Sequence, residues 1–252
     1  MKRLNTFNKC LSAIVVRMII ANIGYLFFYK SWDRYNFDSS VTVPLSYPMY
    51  IEQVSFNYPH DDLGISFYQS QDEVNRFGNT WGHTYYFPEA REPMRLPIEL
   101  VLSYFDYRAN KFYKTKIQLP TKDIEQCFEE AQEQKRFTKL YNVHGDVHGL
   151  VFLLGVANNG NMMLWLKGDN YAKLLFKKHL EPVSISKSLN YDDFKTEELY
   201  KAKFFEYLPD STKQKINSGW EAKASFVTIF LWTRRNNPSI HSNLCCSHHG
   251  ID

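Results

Sequence analysis

The chain has 252 residues, 23% charged and 44% hydrophobic, with 11 Gly and 10 Pro, which excludes collagen-like, low-complexity and wholly disordered chains. Aromatic residues reach 16%, with 17 Tyr and 19 Phe, so one sizeable core can form without disulfides or metal. The net charge of +3 sits at one end: residues 1–30 carry five basic and no acidic side chains, leaving 25 basic against 27 acidic elsewhere, a balance that speaks against nucleic-acid binding.

Residues 11–29, Leu11 to Tyr29, form a mainly apolar run interrupted by one charge, Arg17. Such a run is long enough to cross a bilayer if Arg17 snorkels. Two alternatives are a cleaved signal peptide, with its basic part ending at Arg17, and a buried helix of a soluble fold. No small-x-small cleavage site follows Tyr29, and Cys10 precedes the apolar run instead of ending it, so there is no lipobox. The expectation is an uncleaved signal anchor over residues 1–30 that meets the membrane through residues 11–29. Lys2, Arg3, Lys9 and Arg17 precede or enter the span, which places the amino terminus in the cytoplasm and the main domain in the periplasm or cell exterior.

Residues 31–46 read as a polar linker, an extracytoplasmic α+β domain is expected over residues 47–235, and residues 236–252 read as a flexible tail. The domain opens in β fashion, with Met49 and Ile51 and then Val54 and Phe56 alternating with polar residues. Ile65 to Tyr68 and His83 to Phe87 are short aromatic-rich runs around a loop-like stretch, Gln69 to Asn79. Ile98 to Tyr107 and Lys111 to Leu119 form an alternating pair about Arg108-Ala109-Asn110, which predicts a hairpin with Ile98, Leu100, Leu102 and Tyr104 on one face.

After Pro120 the spacing of Ile124, Cys127, Phe128 and Ala131 predicts a helix to about Lys135, with Thr121 as N-cap. Val151 to Val156 and Met162 to Leu166 enclose Asn158-Asn159-Gly160-Asn161, a second hairpin whose turn residues tolerate positive φ. Both of its strands are apolar throughout, as central strands covered on two faces are. Tyr171 to Leu180 fits either a strand or a short helix. Asp192 to Leu208 reads as a helix, Asp210 or Ser211 as the cap of another ending at Gly219, and Lys223 to Trp232 as a closing strand. The fold class is therefore α+β, mainly antiparallel hairpins with a few helices, preceded by one transmembrane helix.

Cys10, Cys127, Cys245 and Cys246 do not form a disulfide framework. The candidate metal ligands are His144, Asp146 and His148, which would share one face of an extended strand. Neighbouring ligands would stand nearly 7 Å apart, wide for one ion, so a polar approach to the following apolar strand competes with that reading. The tail holds His241, Cys245, Cys246, His248 and His249, soft donors with adventitious metal binding as the plainer reading. No nucleophile elbow and no phosphate-binding glycine loop is present, and Asp61-Asp62 and Asp192-Asp193 are adjacent carboxylates suited to capping. Trp32, Trp81, Trp165, Trp220 and Trp232 supply core or, where exposed, interface anchors.

The order of Tyr47-Pro48, Trp81-Gly82, Leu96-Pro97, Lys111-Phe112-Tyr113, Leu119-Pro120 and the hairpin from Leu154-Gly155-Val156 to Leu164-Trp165-Leu166-Lys167-Gly168 resembles an uncharacterised bacterial envelope family, domain of unknown function 2931. The resemblance runs from Tyr47 to Trp232. It implies an envelope location and, through relatives beside antibacterial phospholipase-type effectors, an immunity role. It brings no catalytic residues with it, and the lipobox cysteine common among relatives is missing here.

The reading is thus a non-catalytic protein-binding module at the membrane, possible immunity to a secreted toxin being its sharper form, with a protein partner, no nucleic acid and no cofactor. The alternatives are a hydrolase or metal-dependent enzyme whose site is assembled from distant residues, and a structural subunit of an envelope assembly.

Overall fold

In a computed structural model the residues described are 5–29, 33–44, 48–59, 65–66, 93–140, 145–206 and 208–219. Helix α1 (Thr6–Tyr29) has 24 residues and runs to about 36 Å at 1.5 Å per residue. Its stretch Thr6–Tyr25 is long and apolar enough to cross a membrane and none of it is buried against the rest of the chain. This is consistent with a single-pass anchor or a signal peptide.

The body is α+β. One sheet has the order β1 (Phe37–Thr42), β7 (Val147–Val156), β8 (Asn161–Gly168) and β9 (Tyr171–His179), with β6 (Thr138–Leu140) also paired to β7. The other runs β3 (Ile65–Ser66), β2 (Met49–Asn57), β4 (Glu99–Asp106) and β5 (Lys111–Gln118). All pairings are antiparallel except β1 with β7, which is parallel from Phe37 opposite Leu150 to Thr42 opposite Gly155.

The main core lies between the sheets. Leu100, Leu102 and Tyr104 of β4 and Ile51, Val54 and Phe56 of β2 meet Leu150, Phe152 and Leu154 of β7, joined by Val41 from β1. The rings of Phe56 and Phe152 cross between sheets edge to face with centroids 5.0 Å apart, a preferred aromatic geometry. Helix α2 (Thr121–Glu133) adds Ile124, Cys127, Phe128 and Ala131 to the same core, so the helical spacing legible in the sequence is the buried stripe.

The β4–β5 and β7–β8 hairpins form where the alternation places them, and the stretch from Tyr171 is strand β9. Their turns place Asn110, Asn159 and Asn170 at φ 52°, 55° and 52°, the left-handed region in which Asn is tolerated. Strands β7 and β8 are central, with Leu153, Met163 and Trp165 buried on the face opposite the main core.

Several expectations are corrected. The segment read as a polar linker contains β1: Phe37, Val41 and Val43 are buried, and so are Ser39, Ser40 and Thr42. Ile98 is 37% exposed and stands outside the face made by Leu100, Leu102 and Tyr104. Thr121 is the first helical residue and Pro120 takes the N-cap position, with no side-chain cap bond. The helix expected from Asp192 is split, a single 3-10 turn at Tyr191–Asp193 preceding α3 (Glu197–Glu206). Helix α4 (Asp210–Asn217) likewise has Pro209, not Asp210 or Ser211, at its N-cap position.

Beyond these helices, α3 and α4 cover the outer face of the second sheet. Tyr200, Phe204, Leu208 and Ile185 pack on Phe105, Tyr107 and Phe112, which is why β4 is buried on both faces. The aromatic-rich run His83 to Phe87, the expected closing strand Lys223 to Trp232, the tail cysteines and histidines, and Trp32, Trp81, Trp220 and Trp232 lie outside the described residues.

Candidate functional site

Three places gather polar groups. The first is an open cleft of about 300 Å³ lined by Arg34, Tyr35, Asn36, Phe128, Glu129, Gln132, Phe137 and His148. Its near wall is the approach to β1. Tyr35 pairs with Met94 through N–H to O bonds of 2.7 and 3.0 Å, and Asn36 O accepts from Leu150 N at 3.4 Å. A side chain at Gly149 would meet Asn36 O at 2.0 Å, so the absence of a Cβ there is what lets this segment close onto β7.

Helix α2 supplies the far wall. The Tyr35 and Phe128 rings stand 4.9 Å apart, and those of Phe128 and Phe137 stand 6.1 Å apart. Burial raises the Tyr35 phenol, and the nearby carboxylates of Glu125, Asp33 and Glu129 raise it further. Arg34 donates to Pro93 O at 3.2 Å, and Asp33 lies 3.7 Å from Arg95.

The second place is the Glu52 carboxylate, set at the register shift of β2 between Ile51 and Gln53. It accepts from Ser103 Oγ at 2.8 Å, Leu189 N at 3.1 Å and Tyr200 Oη at 3.0 Å, and also from Ser188 Oγ. Ser188 Oγ and Tyr200 Oη are also within bonding reach of each other, and because each hydroxyl has one proton, two of these three bonds form at a time. Burial pushes the Tyr200 phenol above its ordinary range, opposed by its bond to Ser188, and so holds the phenol protonated as a donor. Such an arrangement fills the carboxylate with donors of its own fold. It ties the α3 layer to the second sheet.

The third is the set expected from sequence as metal ligands. Asp146 precedes β7, is exposed, and pairs with Lys139 Nζ at 2.6 Å, which lowers its carboxyl below the usual range. His148 is exposed on β7 opposite Lys139 of β6 and contributes to the cleft wall. His144 lies outside the described residues. Among the described residues no group of three or more His, Cys, Asp or Glu side chains is placed to hold a metal ion.

The cleft residues and Glu52 had signals that the sequence reading passed over. Tyr35, Phe37, Val41 and Val43 stand at odd positions, a strand period inside the supposed linker. The change of phase from Ile51 to Val54 marks the bulge that turns Glu52 to the other face.

No curated protein and no solved structure matches the chain. The family model described as a protein of unknown function (DUF2931) matches residues 29–219, from the end of α1 through β1, both sheets and α4, and the chain therefore belongs to that family.

Proposed function

We propose that the chain is a single-pass membrane protein whose body is a non-catalytic protein-binding module outside the cytoplasm, its specific role being to neutralise a secreted toxin at the envelope. The observation that carries the anchor is α1, an apolar helix with none of its span buried by the rest of the chain. A helix of that composition needs apolar surroundings, and a bilayer supplies them. The basic residues at its start favour a cytoplasmic amino terminus.

Support for binding over catalysis comes from how the half-buried Glu52 and the buried Asp106 are used. Glu52 and Asp106 are each occupied by donors of the protein itself, whereas a catalytic acid or base must face a substrate proton. The test is crosslinking of the full-length protein in its native membrane, followed by purification and identification of what accompanies it. A single secreted protein at near one-to-one yield is expected, with capture unchanged by chelation or by His148→Ala. Effective crosslinking without a partner overturns the binding role, and a partner from the cell's own envelope machinery replaces immunity with a structural role.

A further inference from the structure

The cleft beside Tyr35 is tethered to the end of α1 by a few residues. From Tyr29 to Arg34 the chain reaches at most roughly 17 Å, at about 3.5 Å per extended residue. A bilayer's polar layer is about 5–8 Å deep on each side, so with α1 spanning, the cleft stands within reach of lipid headgroups. A volume of about 300 Å³ suits a headgroup rather than acyl chains.

Its charges point to one kind of headgroup. Three carboxylates, Glu125, Glu129 and Asp33, act on Tyr35, and of these Glu129 lines the cleft itself, is exposed, and among the described residues makes no ion pair. Tyr35, Phe128 and Phe137 add aromatic rings, whose faces attract ammonium ions. Arg34 is the cation among the lining residues; its guanidinium already donates to Pro93 O, and a fork of five N–H groups is the geometry that suits an additional phosphate.

We propose that this cleft holds a zwitterionic phosphoethanolamine headgroup of the bilayer in which α1 is anchored, with its ammonium toward Glu129 and the aromatic rings and its phosphate toward Arg34. The assignment rests on the anchor reading of α1. It deepens the proposed function by fixing which face of the body turns to the membrane, leaving the other surfaces for a protein partner.

The test uses full-length protein reconstituted in vesicles of phosphatidylethanolamine and phosphatidylglycerol, doped with a headgroup-photoreactive analogue of one lipid or the other, with crosslinked peptides mapped. Labelling of residues 33–37 and 125–137 by the ethanolamine lipid is expected to exceed labelling by the glycerol lipid roughly five-fold. Glu129→Gln, an exposed change that leaves the core intact, is expected to remove that preference, and Tyr35→Phe, which keeps the ring, to retain it. Equal labelling by both lipids, a preference that survives Glu129→Gln, or labelling confined to α1 overturns the headgroup site while α1 stays in the membrane. An absence of lipid labelling on α1 itself overturns the anchor reading together with the site.

Discussion

The Asp106 carboxylate joins two hairpin turns from different sheets through its contact with Asn159. One oxygen accepts from the Arg108 and Ala109 N–H groups of its own turn, both at 3.0 Å, and the other accepts from Asn159 N, at 3.3 Å, in the β7–β8 turn. The residue is 1% exposed, so the charge is held by these donors and by the nearby Arg108 guanidinium instead of water.

A pH signature follows from that balance. Desolvation outweighs the three N–H donors and Arg108, and the folded-state carboxyl titrates above its ordinary value of 3.8. Because the native state binds the proton more tightly than the unfolded chain, Asp106 costs stability as pH rises from about 3.8 through its folded value, with no further change above it. In Asp106→Asn that term is gone. The stability difference between wild type and variant, from urea unfolding at a series of pH values, is expected to shift against the wild type across this window and then level off. A difference independent of pH sinks the assignment.

Two buried tyrosines make opposite predictions for the same change. Tyr104 stacks on Tyr113 with ring centroids 5.0 Å apart, yet its hydroxyl is buried without a hydrogen-bond partner. Tyr200 uses its hydroxyl on Glu52 and Ser188. Tyr104→Phe keeps the stack and removes an unsatisfied group, so it is expected to raise stability by about 1 kcal/mol, whereas Tyr200→Phe is expected to lower it by about 1–2 kcal/mol. Chemical unfolding of the full chain in detergent reads both. Equal losses in the two variants refute the difference in partnering.

Much of the sheet structure was open to a sequence reading because local and global signals agree there. In the β7–β8 hairpin the apolar strands and the Asn-rich turn specify one arrangement, and in α2 the stripe from Ile124 to Ala131 is the surface that packs. The β1 strand was hidden because its Ser39, Ser40 and Thr42 look like linker residues. They are buried through a parallel pairing with a strand more than 100 positions later, which no local pattern announces. The same holds for the cleft, which draws on the β1 approach, α2 and β7, and for Glu52, whose partners come from Ser103, Ser188, Leu189 and Tyr200. His148 was singled out for a ligand spacing, whereas its place in the fold is the cleft wall.

The docking of β1 can be tested at one glycine. An added Cβ at position 149 would stand 2.0 Å from Asn36 O and 2.9 Å from a Leu140 methyl, and the first of these is backbone that cannot swing aside. Gly149→Ala is expected to cost about 2–4 kcal/mol, comparable to other overpacking and displaced-backbone changes. Hydrogen exchange should show β1 amides opening ahead of those in β8. Unchanged protection of β1 in this variant means the segment does not lie against β7.

Glu52 provides the corresponding test for the helical layer. Replacement by Ala strands four donors, the hydroxyls of Ser103, Ser188 and Tyr200 and the Leu189 N–H, in a region where Tyr200 and Phe204 are buried against the sheet. The Leu189 N–H is exposed and water can replace the carboxylate there, whereas the hydroxyls of Ser103, Ser188 and Tyr200 are buried, so a loss of about 1–3 kcal/mol is expected from those groups. The loss should be local before it is global. The main core between the sheets is built from other residues, so exchange protection is expected to fall in α3 and around Ser188 while β4, β7 and β8 stay protected. If α3 keeps its protection in Glu52→Ala, aromatic packing of Phe204 on Phe105 alone holds the layer, and the carboxylate is dispensable as a tie.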